Sequence, residues 1–257
     1  MCILFLAINQ HPNYPVVICA NRDEFHQRPT QEMHWWQQPK VLAGKDLQAG
    51  GSWLALTSNG KFSALTNFRQ KLDENAVKQS RGDLVLKATT ENTNTFCQLL
   101  PQISTQYNGF NLIFGELENL QCYNSINSSF HPLSDGFHSV CNGALDDIWP
   151  KMALGQKTLE ANIRDCAQKN TKPDVTKLFT LMTNELQAPT EKLPVTGIPV
   201  EWEKLLSSIF ITSPDYGTRS TTILLLDVEK NVEVYEKSYS PSGKVTKENS
   251  FNYRIEK

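Results

Sequence analysis

Two apolar runs open the chain. Positions 3–8 read ILFLAI, and after a polar loop at 9–14 a second run at 16–20 ends in Asn21-Arg22-Asp23-Glu24. Apolar runs joined by a short loop containing Pro12 and Asn13 predict an antiparallel hairpin. Closing Ile8 against Pro15 pairs Leu6 with Val17, Leu4 with Cys19 and Cys2 with Asn21. A slip toward the C-terminus would instead set Cys2 beside Arg22 or Asp23, so the polar cluster returns to the cysteine either way. The late run TTILLL at 221–226 is, like ILFLAI, apolar on both faces, which predicts strands covered on both sides.

Between these runs the pattern changes period. Segments 53–57 and 62–68 flank Asn59-Gly60, a type I′ hairpin signal that pairs Ser58 with Lys61 and sets Asn67 opposite Ser52. Ser80 and Asp83 mark a helix start, and 84–100 carries helical spacing interrupted at 92–94. Strand patterns return at 110–115, 120–125 and 137–141. Pro150 suits the first turn of a helix running to about 169, Pro173 opens another reaching 186, and 200–206 forms a short third. Strands then close the chain at 221–228, 232–240 and 251–255. Strand clusters separated by a helical block predict an α+β fold of two stacked, mainly antiparallel sheets with helices outside.

Composition narrows the classes. The 257 residues contain no linker, charge block or internal repeat, so one domain, 1–257, is expected, and 39% hydrophobic residues suffice for its core. A net charge of −2 without a basic stretch gives no footprint for nucleic acid. No apolar run reaches the ~20 residues of a membrane span, and 3–8 lacks the length and basic flank of a signal peptide. The cysteines at 2, 19, 97, 122, 141 and 166 form no Cys-x-x-Cys pair and no zinc spacing with the histidines. They predict reduced thiols, no metal site and a cytoplasmic location. Gly50-Gly51 lacks the lysine and strand-to-helix context of a phosphate loop.

The candidate chemistry lies at Cys2. Removal of Met1 would leave a thiol and a free α-amine on one residue, the nucleophile and its base. An unperturbed thiol titrates near ~8.5, so only about 3% is thiolate at pH 7. Arg22 beside it is expected to lower that value, with Asp23 orienting Arg22 or the α-ammonium. The plain alternative keeps Cys2 as an inert buried thiol and Arg22-Asp23 as a surface ion pair.

Met1-Cys2 followed by Asn21-Arg22-Asp23-Glu24 resembles the NRDE family, also called the transport and Golgi organisation family. Arg28-Pro29-Thr30, Gly50-Gly51-Ser52-Trp53-Leu54, Ala64-Leu65-Thr66-Asn67-Phe68-Arg69 and Ser80-Arg81-Gly82 agree in order. So do Gly109-Phe110-Asn111-Leu112, Cys141-Asn142-Gly143, Trp149-Pro150-Lys151 and Tyr216-Gly217-Thr218-Arg219-Ser220. Cys141 departs from the serine more usual there. The resemblance implies the four-layer α-β-β-α N-terminal-nucleophile hydrolase fold. By similarity to choloylglycine hydrolases and penicillin acylases, it implies a catalytic set of Cys2, Arg22, Asp23, Asn67, Asn142 and Arg219. In that set Asn67 and Asn142 are oxyanion donors and Arg219 is a late-strand arginine. Singly, the asparagines also suit turns or caps and Arg219 an ion pair.

Two functions follow. One is a cysteine amidase or acylase acting on a linear amide or acyl substrate without a cofactor. The other is a carrier on the same fold for haem, a lipid or an acyl-CoA. Trp35, Trp36 and Trp53 are expected in the core rather than around a ligand, and His26 and His34 are not expected to bind metal.

Overall fold

The first hairpin closes one residue wider than its loop suggested, on a loop of 9–15 rather than 9–14. In this computed structural model, which describes residues 2–69 and 78–256, strand β1 (Cys2–Ile8) pairs with β2 (Val16–Phe25) so that Ile8 meets Val16, Leu4 meets Ala20 and Cys2 meets Arg22. The cause is local. Asn9 turns the chain at φ 53° and its N–H reaches the Pro15 carbonyl at 2.7 Å, which takes Pro15 out of the ladder. Because side chains alternate across a sheet, this step decides which residue shares a face with Cys2. Arg22 does, and Asn21 turns to the opposite face.

Strands β3 (Thr30–Trp35), β4 (Leu42–Asp46), β5 (Leu54–Leu56) and β6 (Lys61–Asn67) follow as a meander, the first two unforeseen in the sequence. The β5–β6 turn is not the two-residue type I′ turn expected. Thr57 and Lys61 close a longer loop, Thr57 Oγ1 accepts the Lys61 N–H at 3.0 Å, and Gly60 takes φ +86°. Leu54 therefore faces Ala64, which puts Thr66 in line with Ser52 and carries Asn67 one step further.

Helices α1 (Gly82–Thr90) and α2 (Thr93–Ile103) come next, the second capped by the Asn92 side chain at the predicted interruption. Strands β7 (Phe110–Glu116), β8 (Asn119–Asn124) and β9 (Ser129–Pro132) complete a seven-stranded antiparallel sheet in chain order. β10 (Gly136–Val140) crosses to the other sheet and borders β1. Helix α3 covers Pro150–Lys169 as its N-terminal proline predicted, followed by α4 (Val175–Met182) and α5 (Val200–Leu205). β11 (Tyr216–Leu226), β12 (Asn231–Tyr239) and β13 (Val245–Arg254) finish a six-stranded sheet of order β10-β1-β2-β11-β12-β13.

Three apolar layers separate four structural ones. Leu4, Leu6, Ile18, Leu224 and Val234 of the six-stranded sheet meet Leu42, Leu54, Phe62 and Ile113 of the seven-stranded sheet. Ile3, Phe5, Val17, Ile223 and Leu225 face Met152, Leu159, Ile163 and Leu178 of α3 and α4. Ala55, Leu112 and Phe114 face Leu84, Val85, Phe96 and Leu100 of α1 and α2. The order is α-β-β-α, and the doubly apolar runs are the central strands β1, β2 and β11. At one end the inner face of the six-stranded sheet turns polar: Cys2, Arg22, Ser220 and Ser238 stand opposite one another across β1, β2, β11 and β12.

Candidate active site

This polar end opens into a cleft of about 370 Å³ lined by Cys2, Arg22, Asp23, Asn67, Trp53 and Arg81 among others. Its floor is the row of strand ends just described. Its wall is the β4–β5 loop packed on the start of α1. Gly51 makes that packing possible: a Cβ there would lie 2.4 Å from the Gly82 carbonyl carbon, and Ser52 N–H reaches the Gly82 carbonyl at 3.1 Å.

Arg22 is 4% exposed, stacks on the Trp53 ring with its guanidinium carbon 4.4 Å from the centroid, and donates from Nη1 to Thr30 Oγ1 at 2.9 Å. Stacking of this kind contributes ~0.5–2 kcal/mol and fixes the fork's direction. Burial lowers its pKa, while the Cys2 and Glu24 charges hold it up. Asp23 is buried, accepts from Thr218 Oγ1 at 2.7 Å, and Thr218 in turn accepts the Ile211 N–H at 2.9 Å. Burial raises Asp23's pKa against Lys151 and Thr218, which draw it down.

The thiol corrects an expectation. Burial pushes Cys2 up, and Asp23 and Glu24 add to that; Arg22 pulls it down and does not prevail. The arginine therefore does not deliver a resting thiolate. A thiol in this setting needs a base that takes its proton as it attacks.

The six candidate residues divide. Cys2, Arg22, Asp23 and Asn67 line the cleft. Asn142 stands behind it: Nδ2 donates to the Asn67 carbonyl at 2.9 Å, and Oδ1 accepts from Arg69 Nη2 at 3.2 Å. Asn142 does not line the cleft; its amide braces the strand end that carries Asn67. Arg219 also misses the cleft. A bulge in β11 between Thr218 and Ser220 displaces it, and Nη1 donates to the carbonyls of Phe25, His26 and Arg28 at 2.9, 3.3 and 3.2 Å. Asn21, on the reverse face, holds α4 and the approach to β11 through the Met182 and Ile209 carbonyls at 2.9 and 3.0 Å.

Sequence reasoning missed Arg81, although its motif was visible. Mostly buried, it donates from Nη1 to the Gly109 carbonyl at 3.0 Å and sits where the cleft meets a second cavity of about 420 Å³. Glu24, Asn67 and Arg81 line both. The second cavity is walled by Phe25, Ile198, Trp202, Leu206 and Tyr216. The Phe25, Trp202 and Tyr216 rings pack edge-on, with centroids 5.1–6.4 Å apart. Phe25 lies more than 170 positions from Trp202 and Tyr216 in sequence, so no local pattern announced their meeting. Trp53, expected in the core, is buried at 9% yet forms cleft wall. Among the described residues no group of three or more His, Cys, Asp or Glu is placed to hold a metal ion, and no helix is long and apolar enough to cross a membrane.

The family profile of Transport and Golgi organisation 2 matches residues 1–241. The chain belongs to that family. The Homo sapiens Transport and Golgi organization protein 2 homolog is 31% identical over 259 residues, and the Bos taurus homolog 30% over 259, each alignment covering 93% of both chains. The Drosophila melanogaster protein is 25% identical over 262 residues. Among solved structures, a mutant conjugated bile acid hydrolase from Clostridium perfringens covers 99% of this chain and 98% of its own, with TM-score 0.48 and 11% identity. A Caenorhabditis elegans N-acylethanolamine-hydrolyzing acid amidase ortholog covers 87% and 92%, with TM-score 0.42 and 10% identity. Likeness at that level carries no function across. In this family member, Asn21 of the Asn-Arg-Asp-Glu segment ties elements together, while Arg22, Asp23 and Glu24 face the cleft.

Proposed function

We propose that this protein is a cysteine N-terminal-nucleophile amidase or acylase, acting in the cytoplasm on a linear amide or acyl compound. The observation that carries the reading is the adjacency of two cavities that share Glu24, Asn67 and Arg81 as walls, one polar and lined by the thiol, the other apolar. A substrate with its acyl chain against Phe25, Trp202 and Tyr216 sets its carbonyl near the junction and its polar part toward Arg22 and Arg28.

Loss of Met1 frees the Cys2 α-amine, whose pKa near ~7.7–8.0 suits a base at neutral pH. As sulfur adds to the carbonyl carbon, the thiol proton passes to that amine. The carbonyl oxygen becomes an oxyanion, which the Asn67 amide meets as a neutral donor; one such donor is worth about 2.7–4 kcal/mol of barrier. Collapse breaks the C–N bond, and the ammonium returns its proton to the departing nitrogen. Water then cleaves the thioester, the α-amine again taking and returning a proton, and the acid leaves. No step calls on a cofactor.

The raised thiol favours a second reading, a carrier for an acyl compound or haem. Of residue types that ligate haem iron, the apolar cavity wall offers Tyr216 and no His, Cys or Met, so an acyl compound suits it better. Intact mass of protein from cells, a hydrolysis screen of N-acyl amides and a haem titration by absorbance separate the two. Expected are loss of Met1 and hydrolysis abolished by Cys2→Ala. Retained Met1 and no hydrolysis, with saturable binding of haem or an acyl compound, would leave the carrier.

A further inference from the structure

Behind Arg22, in the same inter-sheet layer, lies a smaller chamber of about 100 Å³ that neither the cleft nor the apolar cavity includes. Ser220 and Ser238 continue the cross-strand row from Cys2 and Arg22, and Glu236 sits on the same face one step along β12, opposite Thr222. All three line the chamber, with Thr246 from beyond the edge of that row.

Two buried polar atoms of these lining residues lack partners. Glu236 is 1% exposed; Oε1 accepts the Met33 N–H at 2.7 Å, but Oε2 has no hydrogen bond, nor has Ser220 Oγ. Such groups cost ~1–3 kcal/mol each when left unsatisfied in a protein interior. Burial pushes the Glu236 carboxyl up to about 7 with the Glu32 charge adding, against the Met33 N–H, side-chain hydrogen bonding from Asn249 and the Lys247 charge, which draw it down.

Two other charged residues line the chamber, Glu32 and Arg219, and each has partners other than Glu236. Glu32 pairs with Lys247 at 3.4 Å. Arg219, which also borders the chamber, spends Nη1 on the three carbonyls of Phe25, His26 and Arg28. That leaves one buried carboxyl without an ion-pair partner among the described residues, beside hydroxyl oxygens. Oxygen-only donors suit hard cations. Of the charged lining residues Glu32 and Arg219 offset one another, so Glu236 leaves the chamber a net charge of about −1, which matches one positive charge and not two. At about 30 Å³ per water, the space takes one ion with one or two waters.

We infer that the chamber behind Arg22 is a binding site for a small monovalent cation, held by Glu236 Oε2 and the hydroxyls of Ser220, Ser238 and Thr246. Its occupancy steadies Thr30, which also lines the chamber and receives the Arg22 guanidinium.

The test is thermal unfolding of the full chain at pH 8 and constant ionic strength in sodium, potassium, ammonium or tetramethylammonium chloride. At least one of the three small ions raises Tm saturably over tetramethylammonium, by roughly 3–6 °C at ten times its dissociation constant. Glu236→Gln, nearly isosteric, abolishes the difference. Equal Tm in all four salts overturns the proposal, as does an ion-specific rise that survives in Glu236→Gln. If that variant does not fold, diffraction from wild-type crystals soaked in a thallium salt decides: an anomalous peak beside Glu236 Oε2 supports the site, and its absence overturns it.

Discussion

Cys2 is held between burial and charge. Burial and the carboxylates of Asp23 and Glu24 favour the neutral thiol, and Arg22 favours the thiolate. Opposite effects are therefore expected from neighbours on one strand. Arg22→Ala slows iodoacetamide labelling of Cys2 by at least about threefold at pH 7.5, and Asp23→Asn speeds it. Peptide mass spectrometry against Cys97 as internal reference reads both. If both variants slow labelling, packing rather than charge governs the thiol. The same scale explains why one predicted oxyanion donor fell away. Asn67 and Asn142 were equal candidates by residue type, but only Asn67 lines the cleft while Asn142 binds the Asn67 carbonyl from behind, a difference that only the tertiary structure reveals.

At the scale of elements, close backbone approach and caps decide how strands deliver their ends. Gly51→Ala drives a Cβ into the backbone at Gly82, so the β4–β5 loop must lift off α1. A loss of about 1–3 kcal/mol in urea unfolding is expected, with slower labelling or hydrolysis at Cys2 as the cleft wall moves. β10 carries a different device. His138 Nδ1 lies 2.8 Å from Asp146 Oδ2 and Nε2 lies 2.9 Å from the Ser134 carbonyl, two acceptors that together require both ring nitrogens to donate. The Asp146 hydrogen bond raises the His138 pKa, with burial opposing. A folded pKa above the unfolded ~6.5 gives stability that is complete below that value and lost as pH rises through the folded one. Unfolding free energy should therefore fall from pH 6 toward 8.5, and His138→Gln should flatten that slope.

Across the whole molecule, the cleft and the apolar cavity depend on a buried pair joining distant parts. Arg69, just past β6, pairs with Glu203 of α5, both side chains 4% exposed, and Arg69 also lies over the Trp149 ring at 5.0 Å. Glu203 further accepts from Thr196 Oγ1 at 2.5 Å, fixing the loop that leads to the cavity wall. Glu203→Gln leaves the Arg69 charge buried without its counter-ion and should cost about 3–5 kcal/mol. Replacing both residues with apolar ones of similar volume should recover most of that. Urea denaturation of the two variants checks the contrast: equal losses would mean that the pair serves packing alone.

The sequence by itself determined the layering and much of the element list. Runs apolar on both faces and only six residues long suit central strands covered on each side. Pro150 marks a helix start through its fixed φ, and the interruption read at 92–94 is where Asn92 caps α2. It also returned the polar segment Asn21-Arg22-Asp23 to Cys2 at a strand end, because an antiparallel hairpin must return its far end to its start. It could not set the register to one residue. Asn9 turning with positive φ is a choice among loop conformations of similar energy, and that choice put Arg22 rather than Asn21 on the face of Cys2. Only the tertiary structure joined Phe25 to Trp202 and Tyr216, recruited Arg81 to the junction and turned Asn142 and Arg219 away from the cleft. Contacts between segments so far apart are fixed by how layers stack, and stacking is settled by the summed packing of the core, which no single stretch of sequence encodes.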